Sequence, residues 1–132
     1  MQLKLATWNI HRCIGQYGVM SQQRCAAVLK EIEADVVALQ EVESRPGHAR
    51  DVLAGDQNEW FLWGCPLRML HRVFPDTPHR RSWPARAPLF SLDRIWVHPR
   101  RAMISLTTHR STLARVTSDH LPLIAEIGME RI

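Results

Sequence analysis

The fold is decided near the N-terminus by residues 3–41, LKLATWNIHRCIGQYGVMSQQRCAAVLKEIEADVVALQE. Apolar residues alternate with polar or small ones at its start, which predicts a strand that ends at Asn9. Ser21 can cap a helix, because apolar residues then recur at the spacing of one helix face, at Cys25, Val28, Leu29 and Ile32. The apolar run 36–39 predicts a second, buried strand. Together these elements predict a βαβ unit.

Polar residues follow both strands of this unit. Asn9 closes the first strand, and Gln40 and Glu41 close the second. Parallel strands joined by a helix end at the same edge of a sheet, and ligands of open α/β sheets bind at that edge. We therefore expect Asn9 and Glu41 to share a site.

Beyond residue 41 the sequence continues as one α/β domain. Strands are predicted at 52–54, 92–97, 103–107 and 121–127, an aromatic helix-like segment at 59–72, and an irregular, arginine-rich loop at 74–88. The chain has 132 residues and contains no repeat or glycine-rich linker, so a single domain is expected over 1–132.

The composition excludes several classes of protein. A hydrophobic share of 45% and a charged share of 23% are typical of a globular domain and exclude a disordered one. No apolar run is long enough for a membrane span, and the N-terminus lacks the layout of a signal peptide. The three cysteines, Cys13, Cys25 and Cys65, form no C-x-x-C pair, which argues against a disulfide framework and a cysteine-built zinc site. A cytoplasmic location is expected.

The charge is distributed unevenly. Residues 68–115 contain ten arginines against Asp76 and Asp93 alone. Because a guanidinium binds phosphate oxygens in a bidentate manner, this segment favours a phosphate-bearing partner. An ordinary solvated surface that is rich in arginine accounts for the same charge equally well.

The polar residues at predicted strand ends suggest metal-assisted hydrolysis of a phosphoester. Asparagine and carboxylate oxygens are the ligands that Mg²⁺ prefers, and a histidine near carboxylates can act as an acid or base. Taken singly, each of these residues is equally compatible with a turn or a solvated surface. A serine hydrolase is disfavoured because G-x-S-x-G is absent, and a zinc enzyme because no histidines show H-x-x-x-H spacing.

The order of five motifs resembles the endonuclease/exonuclease/phosphatase superfamily. The motifs are Thr7-Trp8-Asn9, Leu39-Gln40-Glu41, Gly55-Asp56-Gln57-Asn58, Leu92-Asp93-Arg94-Ile95 and Ser118-Asp119-His120-Leu121-Pro122. The stretches 61–64 and 84–90 resemble its bacterial branch of metal-dependent hydrolases. The resemblance implies a phosphodiester substrate, which across the superfamily is a nucleic acid, an inositol phosphate or a phospholipid head group.

The resemblance also implies a role for each site residue. On the metal side, Asn9, Glu41 and Asp119 would bind Mg²⁺ or Mn²⁺, with Glu41 as the main ligand. On the catalytic side, the residues would be Asp56, which activates water, Asn58, which positions the phosphate, and His120, which contacts the scissile phosphate and pairs with Asp93.

The chain departs from the family pattern in two places. Gln57 replaces the aromatic residue that the family has between Asp56 and Asn58. The middle of the family domain is also missing, so that the N-terminal segment, residues 1–45, joins directly to the C-terminal segment, residues 50–132. We therefore expect a truncated four-layer α/β/β/α sandwich of the DNase I-like type, with uncovered sheet edges through which two copies could pair as a homodimer.

Two functions remain open at this point. The first is a metal-dependent phosphodiester hydrolase or nuclease, which the missing middle could impair. The second is a non-catalytic remnant that binds nucleic acid or phospholipid through the arginine-rich segment 68–115. Dependence on a divalent cation distinguishes them, because only the hydrolase requires it.

Overall fold

The computed structural model describes residues 2–41, 78–97 and 100–128. These residues form a mixed α/β arrangement of four strands and two helices. The strands are β1 (Gln2–Asn9), β2 (Val36–Gln40), β3 (Met103–Thr108) and β4 (Leu123–Gly128), and the helices are α1 (Gln22–Ile32) and α2 (Thr112–Thr117). The strand order in the described sheet is β2-β1-β4-β3.

The predicted βαβ unit is confirmed. β1 and β2 are parallel, and Asn9 lies opposite Gln40 in their register. The side chain of Ser21 caps α1 by accepting a hydrogen bond from the backbone N–H of Arg24 at 3.3 Å. The prediction that the second strand is buried is wrong, since Val36 is 46% exposed. The reason is that β2 lies at one edge of the described sheet, where a strand has a neighbour on one side only.

The C-terminal strand β4 lies beside β1 in the sheet. It is antiparallel to β1 and to β3, and Leu123 is its residue opposite both Thr7 and Thr108. The two predicted strands of this region are thus confirmed, although β4 begins two residues later than 121. The N–H of Leu121 donates to the carbonyl of Ser82 at 2.8 Å, and Pro122 has no N–H, so neither residue joins the ladder of β4.

The prediction of a strand over 92–97 is wrong. The structure describes residues 91–97 without regular secondary structure. The physical reason lies at Asp93, whose backbone N–H donates at 3.4 Å to the side-chain hydroxyl of Ser82 rather than to a neighbouring strand. The predicted elements at 52–54 and 59–72, and the start of the loop 74–88, lie outside the described residues.

The sheet is covered on both faces. On one face, Ala6 and Trp8 of β1 pack with Val28 and Ile32 of α1 and with Ala114 of α2. On the opposite face, the buried side chains belong to β3, β4 and the segment 92–97, and are Ile95, Met103, Leu106, Leu123 and Ala125. This alternation follows from the period of two along a strand. Neither helix among the described residues is long and apolar enough to cross a membrane.

Candidate active site

The ends of β1 and β2 bring Asn9 and Glu41 together. The side-chain amide of Asn9 donates from Nδ2 to Oε1 of Glu41 at 3.0 Å. Asn9 is buried, with 1% of its surface exposed, whereas Glu41 is exposed. A rigid amide thus holds one oxygen of a carboxylate that faces solvent, and the second carboxylate oxygen of Glu41 is the natural ligand for a cation.

Asp119 reaches the same place through His11. The backbone N–H of His11 donates to Oδ1 of Asn9 at 2.9 Å, and its ring Nδ1 lies 4.0 Å from Oδ1 of Asp119. The hydroxyl of Ser118 donates to the backbone carbonyl of Asn9 at 2.7 Å, which fastens the segment before β4 to the end of β1. The structure therefore gathers Asn9, Glu41 and Asp119 at one end of the sheet.

The backbone at this end is strained. His11, Arg12, Cys13 and Glu41 all have φ between 46° and 59°, in the left-handed region that favours glycine. The backbone N–H of Arg12 donates to the carbonyl of Glu41 at 3.0 Å and so joins the two strained segments. A left-handed conformation costs about 1–2 kcal/mol for each residue with a side chain, and such strain concentrates at functional sites.

A buried pair of titratable groups lies beside this cluster. Nδ1 of His120 is 2.8 Å from Oδ2 of Asp93, and the two residues are 4% and 3% exposed. The hydroxyl of Ser82 donates to the same Oδ2 at 2.5 Å. A carboxylate against Nδ1 favours the imidazole tautomer that carries its proton there, and it fixes the orientation of the ring.

The second oxygen of Asp93, Oδ1, is also buried and has no hydrogen-bond partner among the described residues. Buried polar atoms are almost always paired, so an unpaired carboxylate oxygen is costly for a group with a purely structural role. The Asp93–His120 pair is therefore more typical of a functional site than of an ordinary core contact.

Both sides of the site are anchored on β1. The indole N–H of Trp8 donates to the carbonyl of His120 at 2.9 Å. The carbonyl of the next residue, Asn9, accepts the hydroxyl of Ser118. Ser118 also accepts the backbone N–H of His120 at 3.3 Å. Consecutive residues of β1 thus hold the segment 118–120 in place, so that Asp119 lies near His11 and His120 contacts Asp93.

Sequence reasoning missed two residues of this site. Ser82 lies in the irregular loop, and nothing in its local sequence signals a contact with Asp93. His11 follows Asn9 by two residues and had a weak signal, a polar residue directly after a strand that ends in a polar residue. The predicted residues Asp56 and Asn58 lie outside the described residues.

The Cys25 thiol, near the strained turn, is buried among apolar side chains. Burial raises the pKa of the Cys25 thiol to about 12, and the neighbouring Cys13 acts in the same direction. A thiol with this pKa is protonated at neutral pH, whereas metals bind the thiolate. The oxygen atoms of Asn9, Glu41 and Asp119 are the groups of this cluster that could bind a metal.

The donor set fits Mg²⁺. The described residues contain no group of three histidine, cysteine, aspartate or glutamate side chains placed to hold a metal together. Mg²⁺ does not need one, because it usually takes one or two carboxylates and completes its shell with water and substrate phosphate. Glu41 and Asp119 supply two carboxylates, which matches that pattern, and Asn9 orients Glu41 while its own amide oxygen accepts the N–H of His11.

Comparisons of the chain with protein-family models, with curated proteins and with solved structures found no match. The side chains that the fold gathers at the end of β1 are thus the basis for assigning a function.

Proposed function

We propose that the chain is a Mg²⁺- or Mn²⁺-dependent phosphodiester hydrolase of the endonuclease/exonuclease/phosphatase type. One observation carries the proposal: the end of β1 holds the Asn9–Glu41 contact and Asp119 next to the buried Asp93–His120 pair. Hard oxygen donors and a histidine–aspartate pair beside them are two components that can together carry out metal-assisted phosphodiester hydrolysis.

In this proposal the described sheet is one half of a DNase I-like four-layer sandwich. The two helices pack on one face of the sheet, as an outer helical layer of such a sandwich would. Support comes from the other face, where Ile95 of the segment 92–97 packs against β3 and β4. A second layer of structure on this face is what a sandwich needs.

On the metal side, Asn9, Glu41 and Asp119 would hold the cation. When bound, the cation polarises a phosphoryl oxygen and neutralises charge that develops there. The Asn9 amide fixes one oxygen of Glu41, so that the carboxylate is oriented before a ligand arrives. The strained backbone at Glu41 and at residues 11–13 holds these donors where relaxed strand ends would not.

On the acid–base side, Asp93 would orient His120. With its Nδ1 proton held by Asp93, the ring directs Nε2 to the phosphate, where it donates a hydrogen bond or a proton. By resemblance, Asp56 would activate the attacking water and Asn58 would position the phosphate. The burial of Asp93 and His120 prevents water from replacing either hydrogen bond.

Hydrolysis of a small diester, bis(4-nitrophenyl) phosphate, tests the proposal. The wild-type chain should release nitrophenol with Mg²⁺ or Mn²⁺ and stop when EDTA is added. Glu41→Gln should lower the rate about 100-fold or more, because it removes the charge of the main ligand.

Glu33→Gln is the matched control. Glu33 is an exposed glutamate with φ of 50° against 53° at Glu41, and it follows α1 at the opposite end of the sheet. It should leave the rate unchanged. Equal hydrolysis with and without EDTA, or full activity of Glu41→Gln, would contradict the proposal. Binding of polyanions that persists in EDTA without any hydrolysis would support the non-catalytic alternative instead.

A further inference from the structure

An exposed aromatic ring and two guanidinium groups lie next to the candidate active site. Tyr17 is 69% exposed, and the guanidinium carbon of Arg86 lies 5.5 Å from the centroid of its ring. Arg115 donates from Nη1 to the backbone carbonyl of Arg86 at 3.0 Å. We call Tyr17, Arg86 and Arg115 the tyrosine–arginine surface.

This surface is held in place by backbone contacts. The N–H of Gln16 donates to the carbonyl of Val116 in α2 at 3.1 Å, which fixes the loop that carries Tyr17. Gly15 allows this close approach, because a Cβ there would lie 2.6 Å from the same Val116 oxygen. The backbone that carries Tyr17 is therefore positioned without a ligand, which lowers the entropic cost of binding one.

The surface is continuous with the metal side of the site. Ala85, the residue before Arg86, donates its backbone N–H to the carbonyl of Asp119 at 2.7 Å. A phosphate bound next to a cation at Asp119 and Glu41 would thus have the tyrosine–arginine surface as its neighbour along the protein. Any group attached to that phosphate meets the surface.

The electrostatics of the surface favour an anion. Neither Arg86 nor Arg115 forms an ion pair with a carboxylate among the residues that the structure describes. On α1, the carboxylate of Glu31 is bound to His109 and Ser111. Two guanidinium groups without carboxylate partners leave their positive charge available to phosphate oxygens.

We propose that this surface binds the nucleotide next to the scissile phosphate, so that the substrate class is single-stranded nucleic acid; the inference rests on the proposed function. An exposed aromatic ring beside a guanidinium offers a flat face and a positive charge, and a nucleotide supplies a planar base and a phosphate that fit them. Inositol phosphates and phospholipid head groups offer anionic oxygens but no planar face. In a duplex the base faces are stacked on one another, so only a single strand presents them.

Fluorescence anisotropy with a labelled oligothymidylate of about 12 nucleotides tests the proposal. EDTA is present throughout, so that binding is measured without turnover. Tyr17→Ser should weaken binding about tenfold, because base stacking on an aromatic ring is lost. Arg86→Gln should weaken binding and reduce the slope of log affinity against log salt by about one, as expected for one phosphate contact.

Arg101→Gln is the matched control. It removes the same charge next to β3, whose first residue Met103 pairs with Ile127 at the end of the sheet opposite Asn9. It should change the affinity less than about twofold. Thermal unfolding of each variant shows that the fold is retained, and all three positions are exposed.

Several results would overturn the proposal. They are wild-type affinity in Tyr17→Ser, an equal loss in Arg101→Gln, tighter binding of a duplex of the same length, and binding of phosphatidylserine vesicles without binding of the oligonucleotide. The small diester separates this inference from the proposed function. If the wild-type chain does not hydrolyse it with Mg²⁺, the hydrolase proposal fails, whereas the oligonucleotide result still shows whether the surface binds a single strand.

Discussion

The metal side and the acid–base side of the candidate site are held in opposite ways. On the metal side, Glu41 and Asp119 keep their carboxylates in contact with solvent. On the acid–base side, Asp93 and His120 are buried. The carboxylate of Asp93 is held by hydrogen bonds to both Ser82 and His120. The difference shows how one site can serve two needs. Groups that exchange water for a cation stay accessible, while a group that places a proton has a single orientation.

The largest effect that tests this contrast should come from His120→Ala. The variant leaves the Asp93 carboxylate buried without its partner, which should lower the free energy of unfolding by roughly 3–5 kcal/mol. Metal-dependent hydrolysis should fall about 10²–10⁴-fold, because an acid–base group is lost. Urea unfolding and the diester assay measure the two quantities.

Asp119→Asn, at the exposed carboxylate, should change stability by less than about 1 kcal/mol. Equal stability losses in the two variants would show that burial does not separate the two sides.

Ser82→Ala tests the contrast between the buried and the exposed side of the site. Ser82 is the residue of the buried side that the sequence did not predict. It removes the hydroxyl that donates to Asp93 in the core, and hydrogen bonds to charged groups contribute roughly 1.5–3 kcal/mol. Ser105→Ala is the matched control, because Ser105 donates to the Glu126 carboxylate at 3.0 Å in a partly exposed position. Its loss should be below about 1 kcal/mol, since water replaces the bond. A larger loss of unfolding free energy in Ser105→Ala than in Ser82→Ala would show that Ser82 does not fix Asp93.

A smaller effect should appear on the metal side when Mg²⁺ is added to the wild-type chain. A ligand at about ten times its dissociation constant stabilises the folded state by about 1.4 kcal/mol, which raises the Tm by a few degrees. Glu41→Gln should abolish the rise, because the cation loses its main ligand. Differential scanning fluorimetry with a Mg²⁺ titration measures it, and Glu33→Gln should retain the full rise. The same rise in both variants would place the cation elsewhere.

The smallest expected effect concerns an exposed carboxylate far from the site. Hydrogen bonds from Ser111 and then His109 hold the pKa of Glu31 below its ordinary value of 4.5. Because the pKa of Glu31 is lower in the folded state, these hydrogen bonds stabilise the protein when the pH is above the pKa that Glu31 has in the unfolded state. That contribution is lost as the pH falls through the lowered folded pKa.

Glu31→Gln measures this contribution as a difference in unfolding free energy from the wild type. The difference should be within about 1 kcal/mol at neutral pH, since the pair is partly exposed and screened, and should shrink as the pH is lowered from about 5 to about 3. Stability that rises in the wild type relative to the variant over that range would show that the sign is wrong.

Local sequence patterns determined the first half of the described fold. The Ser21 cap, the apolar face of α1 and the strand that ends at Asn9 follow from hydrogen bonding and periodicity within a few residues. The parallel direction of two strands joined by a helix then places Asn9 and Glu41 at the same edge of the sheet. The helix α2 was not predicted, because six residues are too few to show a helical period, and only the Ser111 cap signalled it.

Tertiary structure alone decided the rest. The contact between Ser82 and Asp93 and the fastening of Ser118 to Asn9 join residues that are 11 and 109 positions apart, and no local pattern encodes such pairs. The same contacts explain why the segment 92–97 is not a strand, although a short apolar segment with charge on one face is typical of one. The N–H of Asp93 binds a serine hydroxyl, and side-chain partners of this kind are set by packing rather than by sequence period. The left-handed backbone of Glu41 has the same origin, since the N–H of Arg12 holds its carbonyl in place.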